Sequence, residues 1–186
     1  MKAWMFIGAL LVAGCGSSSS DMRAQAEKSL HRAVVPIEPK SGSHMSGTIT
    51  FEETGIDKDG ERVLRIDVAL NGLKPGEHGM HIHVKGDCSD LNAEAAGGHF
   101  DLEGMPHGAL RSSASHTGDL GNVMADEHGA AYASITNVTK ISLSPSAPNS
   151  IVGRAIVVHG GEDDLMSQPS GDSGRRVGCG VIALER

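Results

Sequence analysis

At 186 residues, of which 39% are hydrophobic and 21% charged, the chain is long enough for one domain with appendages and short for two. Its formal net charge is −7 with histidine neutral, and it has no dense Lys/Arg run, which argues against nucleic acid as a partner. An acidic chain can still draw in a small anion, provided positive charge is focused locally in a cleft.

The first fifteen residues, MKAWMFIGALLVAGC, stand apart from any domain. Lys2 precedes an apolar run over residues 3–12, and small residues follow before Cys15. That is the layout of a secretory signal, and the run is too short to span a bilayer. The stretch V-A-G-C resembles the lipobox of bacterial lipoproteins, in which the cysteine becomes the lipidated first residue. An ordinary signal cut elsewhere, with Cys15 discarded, is the alternative, and both readings imply export. GSSSS then reads as a flexible tether, and residues 21–30 (DMRAQAEKSL) as a spacer. The expected organisation is a lipoprotein signal over 1–14, a lipidated Cys15 and tether over 15–30, and one domain over 31–186. The expected location is the bacterial cell envelope, lipid-anchored, in the periplasm or at the outer membrane. By resemblance to lipoprotein sorting, Gly16 rather than Asp after the cysteine implies that the chain is not retained at the inner membrane.

Export places the chain where disulfides persist, and with Cys15 given to lipid, Cys88 and Cys179 remain as a pair, two buried thiols being the alternative reading. A bridge between them closes a loop of about 90 residues, worth roughly 4–5 kcal/mol in the chain-entropy model.

Strand patterns begin near His31. RAVVPIEP and SGTITFEE carry β-branched residues with turn signals between them. RVLRIDVAL alternates Leu64, Ile66, Val68 and Leu70 with Arg65, Asp67 and Ala69, the mark of a half-buried strand. NGLKPG turns the chain into HGMHIHV, and GAAYASIT, IVGRAIVVH and VGCGVIAL follow further on. No segment keeps a helical period, so the expected fold is an all-β sandwich or barrel. With aromatics at 3%, its core is built of Val, Ile, Leu and Ala. GSHM at 42–45 belongs to a turn. Two regions resist hairpins: 85 to about 121, and 160–177. Structureless stretches of this length in a compact domain are functional or disordered. The first is dense in metal-capable side chains, which favours function.

His81 and His83, two residues apart on a strand, share one face. The long loop that follows offers His99, His107, His116 and Asp119, and His159 ends a later strand. Three histidines with one carboxylate make a tetrahedral set suited to zinc, whereas an all-imidazole set suits copper. A loop so poor in apolar surface gains its order from metal binding instead.

In this pattern the chain resembles a known family, the copper/zinc superoxide dismutases. LKPGEHGMHIH, then GGHFD, then the spacing His99-x7-His107-x8-His116-xx-Asp119, then GDLGN, VVH and RxxCGV fall in that family's order over residues 31–186. The resemblance implies a Greek-key β-sandwich, a flattened eight-stranded barrel with two long functional loops. It implies His81, His83, His99 and His159 as copper ligands, and His99, His107, His116 and Asp119 as zinc ligands, with the His99 imidazole shared. It implies a Cys88–Cys179 disulfide, Arg176 as the anion-receiving guanidinium, and Asp163 as the carboxylate linking His81 to His107. The implied reaction is dismutation of superoxide to O₂ and H₂O₂ by alternate reduction and reoxidation of copper, with one copper and one zinc per subunit. The resemblance implies His99 and Arg176 as the catalytic residues.

Arg154 and Arg175 read first as ordinary charge, with added field near the site as the second reading. Glu162, Asp164 and Asp172 shape the second loop or its field. His31, His44, His78 and His128 read as solvated residues of turns and strand ends. Met80 stands where the family commonly has Phe, a softer packing element. Residues 88–99 (CSDLNAEAAGGH) form a longer loop that resembles bacterial members, as does SQPSGDSG. The first of these loops takes part in subunit contacts in such members, which makes a homodimer a candidate assembly. The alternative function is a copper-buffering protein of the same fold. That reading predicts a lost ligand or a lost arginine, and neither is lost here.

Overall fold

The computed structural model describes residues 30–185, so the signal, Cys15, the tether and nearly all of the 21–30 spacer lie outside the described residues. Among the described residues nine strands run β1 (Arg32–Pro36), β2 (Glu38–Pro39), β3 (Ser46–Ile56), β4 (Arg62–Asn71), β5 (Gly76–His83), β6 (Asp119–Ala125), β7 (Ala131–Val138), β8 (Ala155–His159) and β9 (Arg176–Val181). They form two antiparallel sheets, a four-stranded one in the order β1-β3-β4-β7 and a five-stranded one in the order β2-β9-β8-β5-β6. The single helical turn among the described residues is a 3₁₀ turn at Glu94–Ala96.

The strand count exceeds the expected eight because one extended segment serves both sheets. RAVVPIEP pairs with β3 through Pro36 and with β9 from Glu38, changing sheets at Ile37. The Ile37 N–H donates to the Gly47 carbonyl at this corner. β6 is the strand the sequence pattern concealed. It is an edge strand with Gly121 at a positive φ of 77°, and its register with β5 shifts between Gly79 and His81. Such a bulged edge breaks the alternation by which a strand is recognised. β8 begins at Ala155 rather than 151, because Gly153 turns the chain at φ 79° while Ile151 is buried in the core. In GSHM, Gly42 does sit in a turn, but Met45 is buried in the core.

The core lies between the sheets. Period 2 places Leu64, Ile66, Val68 and Leu70 of β4 inward beside Ile49 and Phe51 of β3. Met80 and Ile82 of β5 and Ile156 and Val158 of β8 face them from the other sheet. Met80 is fully buried, filling its place in that layer. The alternate residues of β5 and β8 (His81, His83, Ala155, Val157 and His159) therefore occupy the outer face of the five-stranded sheet, and all of them are buried. They are covered by the two irregular stretches, 84–118 and 160–175, which pack over that face instead of projecting into solvent.

Candidate metal centre

Strand register alone assembles much of the site. β5 lies between β6 and β8, and pairing sets His81 opposite Asp119 on one side and Val157 on the other. His83 is bridged antiparallel to His99, fastened by Val84 N–H to Gly98 O (3.0 Å) and Phe100 N–H to Ile82 O (2.7 Å). On the far side His159 pairs with Arg176. Residues distant in sequence thus converge through backbone hydrogen bonds before any side-chain interaction is counted.

The ring nitrogens show a consistent division. His83 Nδ1–H donates to Gly97 O (2.9 Å), and His159 Nδ1–H to Gly174 O (3.1 Å). His81 Nε2–H donates to Asp163 Oδ2 and His107 Nε2–H to Asp163 Oδ1, both at 2.8 Å. Each acceptor fixes a tautomer and leaves the opposite nitrogen with a free lone pair. Those opposite atoms, His81 Nδ1, His83 Nε2, His107 Nδ1 and His159 Nε2, are all buried and without a hydrogen-bond partner, as is His99 Nε2. Five orphaned imidazole nitrogens in one place would be costly if they had no role. Their shared orientation is that of ligands held by an outer acceptor.

The donor atoms of His81, His83, His99 and His159 lie within 4.8 Å of one another, and so do those of His81, His99, His107 and Asp119. His99 belongs to both sets. Its Nε2 is the orphaned atom, and its Nδ1 faces Asp119 Oδ1 at 2.9 Å. His116, absent from that second compact set, nonetheless brings Nδ1 to 3.2 Å from Asp119 Oδ1 and 3.4 Å from His99 Nδ1. His107 Nδ1 lies 3.1 Å from the same oxygen. Four ligands at zinc bond lengths stand about 3.3–3.5 Å apart along the edges of a tetrahedron, so these separations fit one small cation within a few tenths of an ångström. His116 is therefore the better fourth member than His81, whose Nε2 is engaged with Asp163 and whose Nδ1 belongs with the all-imidazole set.

Electrostatics keeps these groups in ligand form. Burial pushes the His83 ring down to about 2 and His159 down to about 3, against the opposing hydrogen bonds to Gly97 and Gly174. Burial also lowers His99 to about 4, against the hydrogen bond to Asp119. All three are neutral at ordinary pH, as coordination requires. Burial would raise the Asp119 carboxyl. The His99 hydrogen bond, the Gly108 N–H and the nearby His107 and His116 outweigh it and hold the group well below the usual carboxylate range. Asp163 is lowered in the same way: the two ring donors overcome its burial.

A cavity of ≈ 430 Å³ opens over the rings, lined by His83, His99, His116, His159 and Arg176 among others. The Arg176 guanidinium donates from Nη1 to Ala93 O (2.5 Å) and from Nη2 to Gly97 O (2.6 Å). Gly97 O thus orients both His83 and Arg176. The loop that presents these carbonyls is tied to β9 by the Cys88–Cys179 disulfide, Cα–Cα 5.8 Å, three residues beyond Arg176. Two of the five guanidinium N–H donors are engaged in this clamp.

Several expectations need correction. His78 is not solvated. It is buried, with Nδ1 facing His159 O and Nε2 facing Lys74 O, both at 2.8 Å, so it braces the strand end that carries His159. The missed signal was period 2, which puts His78 on the Met80/Ile82 face. His31 reaches Glu53 Oε2 at 3.0 Å rather than standing free in water. Arg154 lies with its guanidinium carbon 3.6 Å over the Phe100 ring and donates to Val84 O and Ser150 O, which makes it a packing residue. His44 and His128 are exposed, and so is Arg175.

Comparison with known proteins agrees with this geometry. The family model for copper/zinc superoxide dismutase matches residues 45–182, a narrower span than the 31–186 of the resemblance. Superoxide dismutase (Cu-Zn) 2 of Brassica juncea is 38% identical over 151 residues, covering 78% of this chain and 93% of the relative.

Proposed function

The chain belongs to the copper/zinc superoxide dismutase family, and from that premise we propose how its own residues divide the work of dismutating superoxide. The enzyme uses copper and zinc. His81, His83, His99 and His159 would hold the copper, and His99, His107, His116 and Asp119 would hold the zinc. Copper held there would supply the one-electron chemistry that dismutation of superoxide needs, and zinc would have no redox part. The observation that carries this assignment is the set of orphaned, buried ring nitrogens, each on a ring whose other nitrogen is already engaged.

His99 commits both nitrogens, one to each donor set, and is the ring placed to carry a proton at Nε2 beside the cavity. Arg176 offers a permanent positive charge at the cavity wall in an otherwise acidic protein, and a planar fork suits a diatomic anion. Asp163 takes no part in redox chemistry; it holds His81 and His107 in their ligand tautomers. Superoxide scavenging by the purified chain loaded with both metals tests the assignment, with His159→Ala and Arg176→Ala alongside. Loss of copper in the first and loss of rate with copper retained in the second support it. Copper retention without scavenging by the wild type points instead to a copper buffer.

We propose further that the enzyme is an exported bacterial lipoprotein, anchored through Cys15. The support is the V-A-G-C stretch, the Ser-rich tether and the single leftover cysteine. Labelled fatty acid incorporated into the wild type and absent from Cys15→Ser is the expected result, and unlabelled wild-type protein refutes it. For assembly we propose a homodimer through residues 88–99, where Leu91 is 86% exposed. A one-subunit mass by sedimentation refutes that.

A further inference from the structure

The side chain of Gln168, in the loop between β8 and β9, closes on the backbone of His107 from both directions. Its Oε1 accepts the His107 N–H at 2.8 Å, and its Nε2 donates to His107 O at 3.0 Å and to Met166 O at 2.9 Å. The amide orientation is dictated by these partners, since an N–H needs an acceptor and two carbonyls need a donor. His107 lies outside every strand, so no sheet ladder fixes its backbone. Its ring is held by Asp163, and its main chain by Gln168, both from the second loop.

That loop is built to present the amide. Asp164 accepts the N–H groups of Met166 and Ser167 and the Ser167 hydroxyl. Asp164 N–H bonds Gly171 O, and Gly171 N–H bonds Ser167 O. Gly171 completes the fit: a Cβ there would stand 1.9 Å from Asp163 Oδ1 and 2.6 Å from His107 Nε2, on a backbone with φ 68°. The turn therefore comes as close to the His107–Asp163 pair as a chain can.

We propose that Gln168 is a positioning residue for the zinc set, a latch by which the second loop fixes the zinc ligand His107 and slows the loss of the metal. The inference rests on the reading of His107 as a zinc ligand. Two amide bonds to one residue's N–H and C=O restrict both backbone torsions that aim its ring, which a single bond to the ring cannot do. The latch acts on zinc selectively, because three of the four copper rings, His81, His83 and His159, sit on β5 and β8, and the fourth, His99, is bridged to His83 of β5.

The test is zinc release from the fully loaded full-length protein into excess chelator, with copper release followed in parallel. Gln168→Leu removes all three bonds, and Gln168→Glu keeps the acceptor but sets a carboxylate oxygen against two carbonyls. Gln168 is exposed, so both variants are expected to fold, and the melting of the metal-free proteins checks this. Zinc release about tenfold faster in both, with copper release unchanged within twofold, is the expected result. A cobalt ion in the zinc set should also show altered d–d bands. Zinc release at the wild-type rate, or equal acceleration of both metals, overturns the latch while leaving the ligand assignment standing. A wild type that binds no zinc overturns both.

Discussion

Replacing Asp163 with alanine separates the two metal sets, and the structure says which suffers more. The carboxylate accepts three hydrogen bonds of 2.8 Å: His81 Nε2 on Oδ2, and His107 Nε2 and Leu165 N–H on Oδ1. A hydrogen bond to a charged group is worth about 1.5–3 kcal/mol, or roughly 10- to 150-fold in affinity for a ring that loses its orientation with it. His81 does not lose much, because its strand is paired to β6 and β8 and its ring is fully buried. His107 belongs to a loop, and the variant also frees Leu165 from the turn that carries Gln168. Zinc affinity is therefore expected to fall about 100-fold and copper affinity less than tenfold. Competition against a chelator of known affinity, run for each metal with the other set filled, measures both. A copper loss equal to or larger than the zinc loss would refute the argument that strand and loop placement decides the outcome.

Arg176→Gln should lower kcat/KM for superoxide on the order of tenfold with copper content unchanged, and flatten its dependence on ionic strength, as stopped-flow rates at two salt concentrations would show. Removing the disulfide with Cys88→Ser and Cys179→Ser, separated by 91 positions, should cost about 4–5 kcal/mol in denaturant unfolding of the metal-free protein. Metal-free protein should also lose stability in acid. His83, His99 and His159 have folded values near 2, 4 and 3, below the roughly 6.5 of an unfolded imidazole, so the unfolded chain takes up protons first as pH falls. The stability is intact above pH 6.5 and declines below it, by about 2 kcal/mol per ring at pH 5. Denaturant midpoints from pH 8 to 5 measure the decline; a flat profile would contradict the burial of neutral rings.

Much of the site could be read from sequence because it obeys short-range rules. His81 and His83 share a face by strand period alone, and the alternation in RVLRIDVAL predicted its burial residue by residue. What escaped was governed by tertiary contact. β6 begins with the site residue Asp119 and contains Gly121 and Asn122, so its composition signals a loop, while its pairing with β5 makes it a strand. Asn122 in turn exchanges two hydrogen bonds with the Asp163 backbone, a contact between loop and sheet that no spacing announces. Glu53 lies on the inner face with Ile49 and Phe51, yet it is buried because Arg62 and His31 meet its Oε2 at 2.6 and 3.0 Å. His78 was misread as solvated although strand period places it on the buried Met80/Ile82 face, and the fold supplies the carbonyls of His159 and Lys74 that hold it.

The proposed chemistry turns on a His99 ring shared by two ions of different kinds. A crystal structure of the protein loaded with copper and zinc, with anomalous data at both absorption edges, tests it most directly. Copper is expected at the Nε2 side among His81, His83 and His159, and zinc at the Nδ1 side among His107, His116 and Asp119. A ring bound by one ion alone, or the same metal occupying both positions, would contradict it.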